Sequence, residues 1–259
     1  MARAIDQGKA GEVKLGWVYD IHQKESSELV NVLKTKPEIA TEIIEIFSDK
    51  CINLIIEAAS QTAVEQYSLR ALRSGKNLLI MSVGALANKM LLERVRSEAT
   101  RRGCKVYIPS GAVLGIDGVK AAKLDEIHEA ILTTRKPPAA LRYSEYLKKH
   151  YTRIDGLKRP KVVFDGTARR AVKAFPASVN VAATLSLVGI GFDKTRVRII
   201  LDPKIKQNRH KIYIRSKAGE FVAETRNVPF SDKPRTSYLA ALSAIRTLKN
   251  ISEIFNVGT

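Results

Sequence analysis

The chain has 259 residues, enough for one large domain or two modest ones with buried cores. Hydrophobic residues make up 45% and charged residues 27%, a globular balance that excludes a disordered chain. The formal net charge is +18, but the basic residues are dispersed and the longest clusters are short (Lys148-Lys149-His150, Lys158-Arg159, Arg169-Arg170), so no specific nucleic-acid partner is expected.

In chain order, the opening segment 2–7 reads as the tail of a helix, with Gly8 and Gly11 after it. Residues 13–20 (VKLGWVYD) read as a strand ending in an acid. Residues 24–33 and 38–47 are amphipathic at helical period, with Pro37 suited to a first turn. Residues 52–59 (INLIIEAA) are nearly all apolar, as in a parallel strand covered on both faces. A helix is expected over 62–73, with Thr62 as N-cap and Gly75 as stop, then a strand over 77–83. A long helix over 88–102, stopped by Gly103, leads to a strand over 104–109. Strands interleaved with helices of this size imply βαβ units, hence an α/β, Rossmann-like doubly wound parallel sheet.

After Ser110 the pattern becomes α+β: a strand over 126–135, a break at Lys136-Pro137-Pro138, a helix over 139–149, and a short strand over 161–165. An apolar helix over 180–188, strands over 196–202, 210–216 and 220–226, and a helix over 237–248 follow. The expected domains are 1–109, a dinucleotide-binding unit; 110–232, an α+β catalytic and dimerisation unit; and 233–259, a C-terminal helix returning to the first. The longest apolar stretch, 179–192, is interrupted by Asn180, Thr184 and Ser186 and falls short of the ~20 residues of a membrane span. No signal-peptide core is seen, and Cys51 and Cys104 read as buried reduced thiols, so a cytoplasmic location is expected.

Doubly wound sheets bind ligands at the carboxyl ends of their strands. Four small or polar loops fall there: Asp20, Ala58-Ala59-Ser60-Gln61, Ser82-Val83-Gly84-Ala85 and Ser110-Gly111-Ala112. Together they suggest a nucleotide crevice, with Asp20 on the adenine-ribose hydroxyls and Ser60, Ser82 and Gly84 close to the cofactor. Each also fits ordinary turn chemistry. The fingerprint glycines normally precede such an acid by ~20 residues. Counting back from Asp20 passes Met1, so the expectation is that the first strand and its G-x-G-x-x-G loop lie upstream. Strands 13–20 and 52–59 would then lose their link to strand 77–83. No metal-ligand set is expected. Of four histidines, His22 and His150 sit among polar residues, His128 lies in a strand, and His210 lies between Asn208-Arg209 and the strand segment KIYIR; a proton-transfer role and a strand-edge position are both open for it.

The segments EAASQTAVEQY (57–67), MSVGALANK (81–89), YIPSGAVLGIDG (107–118), ILTTRKP (131–137), FDGTARRAVKAFPASVNVAATLSL (164–187), NRHKI (208–212) and KPRTSYLAALSAIRTL (233–248) resemble archaeal-type L-aspartate dehydrogenases. The resemblance runs in order from Glu12 to Leu248. It implies NAD or NADP as cofactor, bound at Ala112 and Asn180, and a catalytic role for His210. It also implies oxidation of L-aspartate to iminosuccinate, which hydrolyses to oxaloacetate and ammonia, or the reverse, and a homodimer. Iminosuccinate would be available for NAD biosynthesis. The substrate dianion needs cations, for which Arg135, Lys136 and Arg235 are candidates. Competing expectations are another small dicarboxylic amino acid as substrate, and an inactive Rossmann-like binding module.

Overall fold

The computed structural model describes residues 1–151, 154, 156–176, 179–230 and 233–258, with backbone alone for 233–236. Two compact units form, one from Met1–Pro109 with Leu242–Val257, the other from Ser110–Ala241.

The first unit alternates helices and parallel strands: α1 (Ala2–Asp6), β1 (Trp17–Val18), α2 (Gln23–Asn31), β2 (Glu38–Ile39), α3 (Ile43–Ser48), β3 (Leu54–Glu57), α4 (Gln61–Arg73), β4 (Asn77–Ile80), a 3-10 turn (Val83–Ala87), α5 (Lys89–Arg102) and β5 (Val106–Tyr107). Helix α4 starts where Ser60 Oγ accepts from Ala63 N (3.1 Å), so Ser60, not Thr62, is the N-cap. It buries Val64, Ser68, Leu69, Ala71 and Leu72 on one stripe. Helix α5 is capped by Asn88 and stopped by Gly103 at φ 65°, a left-handed position that glycine adopts without strain. Leu79 packs with Ile5, Ala10 and Leu248 in one apolar cluster, against Val13, Leu15, Leu54 and Ile56.

The parallel strands fall into two sheets, β1-β2 and β3-β4-β5, with no ladder joining β1 to β3 among the described residues. The sequence expectation put the break between 52–59 and 77–83. That is corrected: Leu54–Glu57 pairs in register with Asn77–Ile80, because the α4 crossover sets β4 beside β3. The break falls instead between β1 and β3. Strand β1 pairs over only two residues, and β3 is half-buried throughout, whereas Leu78, Leu79 and Ile80 of β4 are buried. Trp17 Nε1 donates to Asp49 Oδ2 (2.8 Å) in the turn before β3.

The helix expected over 38–47 forms only in its second half. Lys36 takes φ 46°, Pro37 follows, and Glu38 N bonds Gly16 O (2.8 Å), drawing 38–39 into a strand. The helix begins after the reciprocal capping box of Glu42 and Glu45. The cysteines are also corrected: Cys51 is exposed in that same turn and Cys104 is half-buried, both free thiols.

The second unit contains α6 (Ile116–Ala122), β6 (Ile127–Lys136), a 3-10 turn (Pro138–Leu141), α7 (Glu145–His150), β7 (Lys161–Thr167), α8 (Ala168–Ala174), α9 (Asn180–Val188), β8 (Arg196–Leu201), β9 (Asn208–Ser216), β10 (Gly219–Asn227), β11 (Pro229–Phe230), β12 (Lys233–Ser237) and the start of α10 (Tyr238–Ser252). Five strands make one sheet in the order β10-β9-β6-β8-β7, mostly antiparallel, with β6 and β8 parallel. The helix expected over 139–149 is split at residues 142–144, where Ser144 restarts it as α7. One sheet face is buried through alternate residues: Ala130, Leu132, Thr134 and Lys136 on β6; His210, Ile212, Ile214 and Ser216 on β9. The other carries ion pairs, such as Arg196 and Arg198 on Asp165 (2.7 and 2.9 Å). Among the described residues, no helix is long and apolar enough to cross a membrane.

Candidate active site

In the first unit, the loops at the strand ends hold the expected residues in defined roles. Asp20 lies two residues beyond β1, half-buried, and its Oδ1 accepts from His22 N (2.9 Å), an Asx turn. Ser60 is the exposed cap of α4. Ser82 donates through its hydroxyl to Glu57 Oε1 (2.9 Å), and its N–H to Glu57 Oε2 (2.9 Å). Glu57 Oε1 also accepts from Ala59 N (2.8 Å), so this carboxylate ties together the carboxyl ends of β3 and β4. The sequence reading took Glu57 as part of an apolar strand and missed it; its position as the last strand residue is the signal. Gly84 is buried in the 3-10 turn, and a Cβ there would come within 2.3 Å of Gln61 Nε2 at the start of α4. Each hydroxyl keeps capacity: Ser60 can still donate, and Ser82 can still accept.

A nicotinamide dinucleotide needs a ribose acceptor, a phosphate cradle and a flat slot. Asp20 fits the first. The small, polar strand-end loops fit a close approach of the nucleotide to backbone. Among the described residues, no G-x-G-x-x-G loop supplies the pyrophosphate cradle.

In the second unit, three strands arrange six polar residues on the covered sheet face. Register pairs Thr134 with His210 and His210 with Thr225, and sets Asn208 opposite Asn227. Carried one residue further, the β6–β9 register brings Lys136 level with Asn208. The His210 ring, 5% exposed, meets Thr134 Oγ1 through Nδ1 at 3.0 Å. Thr225 Oγ1 and Asn227 Nδ2 both donate to the Ala112 carbonyl (2.9 and 3.1 Å), fixing the loop that Gly111 turns at φ 72°. Ala112 is itself buried. The sequence reading quoted SGA and NRHKI as separate blocks; Thr225 and Asn227, which it did not single out, join them.

Burial, then the charge of Lys136, pushes the His210 imidazole down to about 3, so it is neutral at ordinary pH. Burial alone brings the Lys136 ammonium down to about 8. Among the described residues, Asn208 Oδ1 and Arg209 Nε are buried without a hydrogen-bond partner. Arg135 is half-exposed and spent on Asp202 Oδ2 (3.1 Å), and the Arg235 side chain lies outside the described residues. Asn180 is exposed at the first position of α9. The other histidines lie elsewhere: His22 precedes α2, His128 pairs with Glu126 (3.6 Å), and His150 stacks on Tyr146 (4.2 Å). A depression of about 1020 Å³ lies at the far end of β6, around Glu126–Ala130, and none of His210, Ala112 or Asn180 lines it.

The family "Aspartate dehydrogenase, C-terminal" matches residues 117–251, and "Homoserine dehydrogenase, NAD binding domain" matches 1–109. An L-aspartate dehydrogenase of Methanocella arvoryzae is 44% identical over all of this chain and 94% of its own length. That of Nitrosopumilus maritimus is 41% identical over 93% of this chain and 89% of its own. The crystal structure of an aspartate dehydrogenase from Thermotoga maritima superposes with a TM-score of 0.78 at 29% identity, covering 96% of this chain and 92% of that one. The match of the C-terminal family model over more than half of the chain, the dinucleotide-binding unit before it and these full-length likenesses place the chain in the L-aspartate dehydrogenase family.

Proposed function

We propose that this chain oxidises L-aspartate to iminosuccinate with a nicotinamide dinucleotide, the imine then hydrolysing to oxaloacetate and ammonia. When bound, the dinucleotide supplies the hydride acceptor. The observation that carries the reading is the buried imidazole of His210, set against Thr134 in the polar cluster that also anchors Ala112, where burial favours its neutral form. If Nδ1–H donates to Thr134 Oγ1, the Nε2 lone pair is left as a base. It takes the proton that the substrate ammonium must lose before an imine can form and, once it has passed that proton to solvent, deprotonates the water that attacks the imine carbon. Asp20, Ser60, Ser82 and Gly84 in the first unit, and Ala112 and Asn180 in the second, are the proposed cofactor-binding residues. Asp20 repels a 2′-phosphate and so favours NAD over NADP, with His22 and Lys24 nearby as a counterweight. We further infer a cytoplasmic homodimer that feeds iminosuccinate to NAD biosynthesis, on the strength of the family resemblance.

The test is aspartate-dependent reduction of NAD and of NADP by the purified chain. Activity with NAD, lowered roughly 10²–10⁴-fold in His210→Ala with the dinucleotide titration unchanged, is the expected result. No aspartate-dependent reduction by the parent chain overturns the reading. The break between β1 and β3 favours a second reading, a binding module that takes up dinucleotide weakly and turns nothing over; that outcome would separate the two.

A further inference from the structure

We propose that Lys136 is the anchor for a carboxylate of the dicarboxylate substrate, holding it beside the imidazole of His210. The inference rests on the aspartate reading and adds a residue to it.

Lys136 ends β6 on the buried side of the strand and is 7% exposed. It is not paired by the fold. Among the described residues, no carboxylate comes within ion-pair distance of its ammonium, and it makes no hydrogen bond through Nζ. Asp202 lies beside it on the sheet, its backbone N–H donating to Lys136 O (2.9 Å). Both of that acid's oxygens are engaged elsewhere: Oδ2 with Arg135 Nη1 (3.1 Å), Oδ1 with Lys204 N (2.9 Å).

An ammonium largely withdrawn from water without a counter-charge is costly, and such groups concentrate at functional sites. The surroundings of Lys136 point the same way. At its level on the sheet face, Asn208 Oδ1 is buried and lacks a partner; one step along lies His210. A carboxylate on Lys136 would therefore sit next to the base while leaving its other oxygen for a second donor. An ammonium has three donors, one positive charge and no acceptor, so it favours an anion over a neutral amide and rejects the ammonium end of a ligand. Arg135, one residue earlier, faces the opposite side of the strand and already holds Asp202, which separates the two cations the sequence could not rank.

The experiment compares the parent with Lys136→Met, which keeps length and removes charge, and Lys136→Arg, which restores charge. Succinate, a dicarboxylate with no amine to oxidise, is titrated calorimetrically, and KM and kcat are measured for L-aspartate and L-asparagine. The expected result is succinate binding and KM for aspartate weakened roughly 10–100-fold in Lys136→Met and partly rescued in Lys136→Arg. kcat is expected to change less than KM. The melting temperature of Lys136→Met should equal or exceed the parent's, because an uncompensated buried charge has been removed; a structural lysine would lower it. Equal losses for aspartate and asparagine assign the α-carboxylate to Lys136. A loss confined to aspartate assigns the side-chain carboxylate. Succinate affinity and aspartate KM within twofold of the parent in a folded Lys136→Met overturn the proposal, as does a parent chain that binds no succinate. A parent that binds succinate through Lys136 yet oxidises no aspartate would leave the anchor standing and remove the enzyme reading.

Discussion

His210 shows how one side chain couples stability to chemistry. Its folded-state pKa of about 3 lies below the ordinary value near ~6.5, so the unfolded chain binds the proton and the folded chain does not between those limits. Its contribution is therefore fully present above pH ~6.5 and is lost as pH falls toward about 3, at up to ~1.4 kcal/mol per pH unit. Urea unfolding of the parent and of His210→Ala from pH ~7 down to ~4 should show the parent losing stability more steeply. Parallel slopes would mean the ring is not held neutral. Thr134→Val keeps the shape and removes the oxygen that faces Nδ1. We expect roughly a tenfold drop in kcat and a loss of ~1–3 kcal/mol, because a buried ring nitrogen loses its partner. Unchanged kcat in that variant would show that Thr134 does not set the tautomer. In sequence, the local pattern left His210 a strand residue of uncertain face, and a catalytic role for it came from the family resemblance alone. A one-residue slip of β9 would have turned it to the ionic side of the sheet, away from Lys136 on β6.

Among the elements, those with both a cap and a stripe were legible. Helix α9 runs from Asn180 to Val188 as its apolar run implied, and α5 ends at Gly103 as glycine placement implied. Where local signals compete, the pattern misled. Residues 38–39 carry the start of a helical period, yet pairing with Gly16 and Val18 outweighs it. Glu45 then sets the true helix start, accepting from Thr41 N (2.9 Å), Thr41 Oγ1 (2.7 Å) and Glu42 N (2.7 Å). Glu45→Ala should cost ~1 kcal/mol in thermal or urea unfolding, with α3 frayed. Glu57 matters more, because it gathers donors from two loops. Glu57→Ala should cost ~1–3 kcal/mol and weaken dinucleotide titration by freeing the 58–60 and 82–87 segments. A stable variant with normal titration would separate that clamp from the cofactor site.

For the molecule as a whole, the surplus of positive charge is spread over exposed side chains, many in pairs such as Arg169–Asp193 (2.6 Å) and Lys249–Glu253 (3.1 Å). Such pairs are worth little individually. Duplex DNA should therefore bind weakly and lose affinity steeply with salt, and tight binding at physiological salt would point to a polyanion partner. The change of pattern at Ser110 falls where the second compact unit begins, whereas Leu242, where the chain passes back to the first unit, lies inside a continuous helix that no sequence signal divides. The pairing of β3 with β4 was not legible, because adjacency in a parallel sheet depends on crossovers that no single strand encodes.

Trp17 is the only tryptophan in the chain, and it stands on β1, the short strand beside the break in the first unit's sheet. The protein thus carries an optical probe on a strand paired over only two residues. When the β1-β2 pair opens, the indole loses Asp49 and its emission shifts red, while β4, with Leu79 and Ile80 fully buried, keeps its amide protection. Fluorescence and far-ultraviolet dichroism should then report different midpoints on the same urea series, the former lower, so that no single unfolding free energy describes this chain.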